Sequence, residues 1–171
     1  NAAPYATYTY DSFGRVSFAA RLATPSQQVD TYKLTYGTGS TVVTDPFGVQ
    51  RTFSYQSVVN VRHGTAVSQA GSWFSRNNYS ATSYDANANV ASRTDFNNRK
   101  VCYAYDLARN LETARAEGIL STETCGTVLA TLPARTDVRK VSTLWHPTWR
   151  LPTQVAEPNR LTTNAYNGDG G

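Results

Sequence analysis

Residues able to do chemistry are sparse in this chain, and none stands at a spacing that builds a site. The only two histidines, His63 and His146, lie in no HExxH-type ligand spacing and read as strand or surface residues. Cys102 and Cys125 form no CxxC, have no histidine cluster to complete a zinc site, and have no evident base partner for nucleophilic work. The stretch Asp85-Ala-Asn-Ala-Asn89 matches the first half of a calcium loop. However, its sixth position is Val90 where glycine is required, and its twelfth is Phe96 where a glutamate is required. Gly37-Thr-Gly-Ser-Thr41 lacks the lysine of a phosphate loop, and no GxSxG elbow occurs. No catalytic, cofactor-binding or metal-binding residue is therefore assigned, and the expectation is that the chain is not an enzyme.

Composition points to a framework. The 171 residues are 40% hydrophobic and 16% charged, which suits one compact domain or a slice of a larger repetitive one. Eleven Tyr, six Phe and three Trp among many Thr and Val favour pleated surfaces over helices, so an all-β chain is expected. The net charge of +4 comes mostly from arginines scattered without a run, with Lys only at 33, 100 and 140. These charges read as solvated strand faces, and no nucleic-acid partner is expected. No stretch approaches the ~20 apolar residues of a membrane-spanning helix. Cys102 and Cys125 either join in one disulfide, as an exported protein allows, or remain two buried thiols; spacing alone does not choose. The chain begins Asn1-Ala-Ala-Pro-Tyr5, contains no Met and stops in Asn167-Gly-Asp-Gly-Gly171, so a fragment or processed piece of a longer chain is expected.

The elements follow from an internal repeat. Tyr10-Asp-Ser-Phe-Gly-Arg-Val16, Tyr84-Asp-Ala-Asn-Ala-Asn-Val90 and Tyr105-Asp-Leu-Ala-Arg-Asn-Leu111 align without gaps, the last two starting 21 residues apart. A related pattern, Asp then turn residues, a basic residue and an alternating strand, occupies 45–55 and 95–105, with a one-residue-shorter version at 157–166. Each unit reads as strand, tight turn, strand, tight turn, giving an antiparallel hairpin meander over 1–171.

That pattern competes with a local helix signal. Leu107, Leu111 and Ala114 fall at helical spacing behind Asp106, a good cap. Alignment with the sibling units predicts a hairpin there instead. Tyr8 and Tyr10, like Tyr103 and Tyr105, then share a face at period two and are expected to stack as a ladder with rings of successive units. Asp11, Asp85 and Asp106 are expected to cap the turns through Asx-type bonds. Gly14 supplies a left-handed residue, but the aligned positions are Ala88 and Arg109. A different turn type is expected at those two, with Asn89 or Asn110 taking the left-handed conformation.

These residues resemble the Rhs, or YD, repeat, whose consensus runs roughly Gly-x-x-x-x-Tyr-x-Tyr-Asp-x-x-Gly-Arg-Leu. Tyr8-Thr-Tyr-Asp-Ser-Phe-Gly-Arg-Val16 carries the likeness best, and it extends through 84–118 and more weakly through 32–55 and 145–167. Residues 119–135 do not fit and read as an insertion with a short helix near 121–132. Trp145-His-Pro-Thr-Trp-Arg-Leu-Pro-Thr153 also resembles a longer strand pair of bacterial members, with the prolines at strand ends where no ladder donor is lost. The resemblance implies a β-sheet strip that winds into a large shell. In bacterial members the shell encloses a toxin domain; in the related teneurins a similar barrel serves cell-surface adhesion. It therefore implies a secreted or cell-surface bacterial protein whose partners are the rest of its own chain, including an enclosed toxin domain, and copies joined at sheet edges. The self-cleaving core of such shells has no counterpart here, since Asp45-Pro-Phe-Gly48 sits at a repeat turn. Two other expectations compete with encapsulation: a secreted adhesive module that binds carbohydrate or protein, and a subunit of an extracellular filament.

Overall fold

The structure, a computed structural model, describes residues 5–69 and 79–168. The first four and last three residues, which belong to the chain ends discussed above, lie outside the described residues. The fold is all-β, with antiparallel strands that follow one another in sequence order. The described residues divide into two compact units. One holds β1 to β6, save the 58–61 turn, and the other holds β7 to β13.

In unit 1 the strands are β1 (Ala6–Tyr10), β2 (Val16–Thr24), β3 (Gln27–Gly37), β4 (Ser40–Thr44), β5 (Gln50–Val58) and β6 (Val61–Val67). Consecutive strands from β1 to β5 pair as hairpins. In unit 2 they are β7 (Tyr79–Tyr84), β8 (Val90–Asp95), β9 (Arg99–Asp106), β10 (Leu111–Leu120), β11 (Arg139–Trp145), β12 (Pro152–Glu157) and β13 (Arg160–Thr163). Each again pairs with its neighbour. One short helix, α1 (Cys125–Ala130), lies between β10 and β11.

Residues 107–110 form a turn and Leu111–Leu120 a strand, so the hairpin prevails over the helical spacing of Leu107, Leu111 and Ala114. The reason is tertiary. As a strand, this segment pairs with β9 on one side and β11 on the other, with partners such as Arg115↔Tyr103 and Arg115↔Val141. A helix there would leave both neighbouring strands as open edges, a cost that weak helix propensity does not offset.

The excursion that breaks the repeat runs from the end of β10 at Leu120 to the start of β11 at Arg139, so Ile119 and Leu120 of the expected 119–135 insertion belong to the strand, and α1 lies inside the expected 121–132 window. It folds back over one face of unit 2 and makes an apolar cluster with it: Cys102, Ala116, Ile119 and Val128, flanked by Leu129, Leu132 and Val138. Register explains the fit. Cys102 stands opposite both Ser92 and Ala116, and Ala104 opposite Ala114, so the face beneath the excursion is paved with small side chains. At the other end of this segment, Pro152 opens β12 opposite Trp145, as a proline at a strand end should.

Candidate functional site

Four turns share one geometry, and an aspartate organises each. Asp11 Oδ1 accepts from the Phe13 and Arg15 amides, both at 2.9 Å. Asp45 accepts from Phe47 and Val49 at 3.0 Å, Asp85 from Asn87 and Asn89 at 2.9 Å, and Asp95 from Asn97 and Arg99 at 2.8 Å. A backbone bond from the third residue on, 3.0 Å for Gly14 to Asp11, closes a three-residue loop whose last member is left-handed. Local hydrogen bonding of this kind is what Asp supplies in a turn. On Asp11, desolvation opposes ionisation, but the bonds from Arg15 and Phe13 outweigh it and hold the carboxyl below its usual range.

The left-handed position is Gly14, Gly48, Ala88 and Asn98 in the four turns. The expectation of a different turn at Ala88 is therefore corrected. Ala88 itself sits at φ 63°, and Asn89 is instead held to Asp85 by its amide and by its side chain, each at 2.9 Å. Two bonds to one carboxylate outweigh the roughly 1 kcal/mol that a left-handed alanine costs. At Asp106 the loop does differ. Its Oδ1 takes the Ala108 amide at 3.0 Å, and Asn110, at φ 50°, is the left-handed residue. Arg109 then has a role of its own, donating to the carbonyls of His146 and Trp149 at 2.7 Å each and tying two neighbouring loops together. His146 stacks on Trp149 at 4.3 Å, and its Nδ1 accepts two amides of its own loop.

The tyrosine rings make contacts of two kinds. Tyr103 and Tyr105 stack along one strand at 6.4 Å, and burial pushes both phenols up. Tyr8 and Tyr10 are exposed. Elsewhere the partner of a ring is an arginine: Arg15 over Tyr36 at 4.2 Å, Arg62 over Tyr55 at 4.1 Å and Arg93 over Tyr79 at 5.1 Å. A guanidinium stacks on a ring face as well as a second ring does and keeps its charge in water. Tyr36 and Tyr55 further donate their hydroxyls to the carbonyls of Val16 and Ser40.

Cys102 and Cys125 are joined in a disulfide, which resolves the alternatives left open by spacing. It pins α1 to β9, and an ionic cluster that spacing did not reveal pins the rest of the excursion. Arg99 meets Asp137 at 2.6 Å, and Arg135 meets Glu123 at 2.9 Å and Asp137 at 3.2 Å. Both guanidiniums also donate to the Gly118 carbonyl at 3.2 Å. Lys100 donates to the carbonyls of Ser121 and Glu123, and Lys140 to that of Leu129. Arg135 holds the Glu123 carboxyl below its usual range. At Asp137 desolvation works the other way, but the bonds from Arg135 and Arg99 prevail and the carboxyl is again lowered. Gly118 makes the crossing possible, because a Cβ there would stand 2.0 Å from the Asp137 carbonyl oxygen.

The opposite face of unit 2 carries alternating charges. Arg115 binds Glu112 at 2.9 Å and Glu117 at 2.8 Å, and Arg139 binds Glu117 at 2.7 Å. The Glu117 and Glu112 bonds raise the Arg115 guanidinium further above its ordinary value. Beside them, Val141, Val155 and Trp145 line an open groove of about 430 Å³. Each of these carboxylates has a guanidinium partner, so the arrangement offers cross-strand cohesion. Among the described residues, no three His, Cys, Asp or Glu side chains gather where a metal could be held, and no helix is long and apolar enough to cross a membrane.

Of the residues singled out from sequence, Asp11, Gly14 and Arg15 meet in one turn, where Arg15 also pairs with Asp11 at 2.7 Å. Tyr84 and Asp85 close β7, and Tyr103, Tyr105 and Asp106 close β9. They mark repeated corners and do not converge on one site. No protein-family model matches the chain, and no curated protein matches it either.

Proposed function

We propose that this chain is a structural segment of Rhs/YD type, contributing β-hairpins to a shell or scaffold that encloses or carries a further domain of a longer protein. The observation that supports this most is the recurrence of one aspartate-organised turn at Asp11, Asp45, Asp85 and Asp95 on a meander that encloses little core of its own. Such turns fix hairpin after hairpin at low cost, while the sheet faces remain to be covered by something else. The work of the chain is then mechanical, and no reaction step is assigned to it. The disulfide accords with export, which makes secretion or cell-surface display part of the proposal.

The test is to compare the isolated chain with the same chain expressed in continuity with its flanking coding sequence, by light scattering across dilution. The expected result is self-association of the isolated chain through open edges and a monodisperse particle for the longer one. An isolated chain that stays monomeric at all concentrations, with its edge amides protected from exchange, would count against the scaffold.

A further inference from the structure

One row of unit 1 is unlike the rest of the sheet. Tyr8 on β1 stands opposite Ala19 on β2, and Ala19 opposite Tyr32 on β3. Two rings therefore rise from one face two strands apart, about 9.5 Å at the usual strand spacing. Between them is only a methyl group. The result is an open pocket of about 510 Å³ whose lining includes Tyr5, Tyr8, Ala19, Arg21, Asp30 and Tyr32. Its two walls are 54% and 43% exposed.

The polar end of this slot is built by a backbone irregularity. Between the Ala19↔Tyr32 and Arg21↔Val29 pairs the register shifts, and within that bulge Asp30 takes φ 50°. The other non-glycine residues with positive φ among those described lie in turns; Asp30 alone is inside a strand. Bulges re-aim side chains, and a left-handed residue within a strand is a strained choice that points to a task beyond sheet building. Here it sets the Asp30 carboxylate 2.8 Å from the Arg21 guanidinium, at the edge of the slot.

We propose that this slot binds a neutral, β-linked hexopyranose chain. A pyranose whose hydroxyls are equatorial has two apolar faces of axial C–H bonds and a rim of hydroxyls. The tyrosine faces suit the former from both sides, and a gap of about two strand spacings takes a puckered ring better than a flat aromatic one. Arg21 and Asp30 offer fixed donors and acceptors to neighbouring hydroxyls, whereas an ionic ligand would have to break their pair. The slot is open to solvent, which leaves room for a ligand longer than one ring. This site lies in unit 1 and does not depend on the scaffold reading.

Titration of the 171-residue chain with cellohexaose, read by calorimetry and by shifts of the tyrosine ring resonances, tests the proposal. Millimolar or tighter binding is expected. Tyr8→Ala or Tyr32→Ala should each weaken it about three- to tenfold, the worth of one stacked ring. Ala19→Leu, which fills the slot and leaves both rings, should remove at least about tenfold by the same scale. Tyr10→Ala, outside the slot, should change nothing. If Ala19→Leu unfolds by circular dichroism, the Tyr8→Ala/Tyr32→Ala double variant, both positions being exposed, decides in its place. Absence of cellohexaose binding, binding unchanged in these variants, or binding of a proline-rich peptide in preference to the saccharide would each overturn the proposal. Light scattering of the same samples keeps its failure separate from that of the scaffold.

Discussion

The two units use the same turn and build very different interiors. Unit 1 buries a single apolar residue among those described, Ala20, while unit 2 buries Cys102, Leu111, Ala116, Ile119, Val128 and Val141. The strands do not account for the difference, since both units are antiparallel meanders with half-buried alternation. Most of the difference comes from the excursion between β10 and β11, which leaves the repeat, supplies a second layer over one sheet face and buries Cys102, Ala116, Ile119 and Val128. A hairpin repeat fixes edges and register, but a core needs a covering element. In unit 2 that cover comes from within the chain, fastened by a disulfide and an ionic cluster.

The comparison breaks most directly at the fastening. Cys102→Ser with Cys125→Ser opens a link that spans 23 residues and should cost about 2–4 kcal/mol of unfolding free energy, felt in unit 2 and not in unit 1. Hydrogen exchange resolved by strand is the measurement; equal loss in both units would show that the units do not differ in their source of stability. Gly118→Ala comes next. Its Cβ would meet the Asp137 carbonyl at 2.0 Å in a left-handed backbone, so the excursion must shift, at about 2–3 kcal/mol. Gly14→Ala, whose added Cβ meets nothing within 4 Å, should cost only the conformational part, about 1 kcal/mol.

The shared turn sharpens the comparison from the other side. Asp11→Ala in unit 1 and Asp85→Ala in unit 2 each remove the carboxylate oxygen that accepts from two turn amides, and each should lower stability by about 1–2 kcal/mol. Markedly unequal losses in urea melts would mean the turn is not the common local device it appears as in both units. Acid is expected to act on the excursion. The Glu123 and Asp137 carboxyls are lowered in the folded state, so their contribution is present above the ordinary carboxylate range and is withdrawn as pH falls through their folded values. Amide protection factors in 121–138, which correct for the intrinsic slowing of exchange in acid, should therefore fall at low pH, with Glu123→Gln reducing that dependence. The smallest effect is a gain: Ala88→Gly should stabilise unit 2 by about 0.5–1 kcal/mol, which a thermal melt can read.

The turns were legible because their causes are local. Asp followed two and four residues later by amides it can reach needs no distant partner, and the repeat carried the hairpin at 105–111 against helical spacing. The left-handed alanine was not legible, because residue preference favoured Asn89, and only the two bonds to Asp85 decide for Ala88. Period two places Tyr103 and Tyr105 on one face, where they stack, whereas the arginines over Tyr36, Tyr55 and Tyr79 depend on which residues lie across the sheet.

Sequence by itself determined the strand-and-turn grammar, the place where the repeat fails, and the absence of any catalytic spacing. All of these depend on residues within about ten positions of one another. Tertiary structure alone decided that Cys102 meets Cys125, that Arg99 and Arg135 meet Asp137 over the Gly118 carbonyl, and that Tyr8 and Tyr32 flank Ala19. The physical reason is register. A one-residue slip turns every side chain of a strand to the other face, so which distant residues become neighbours is settled only when the bulges and turn lengths are summed across the sheet.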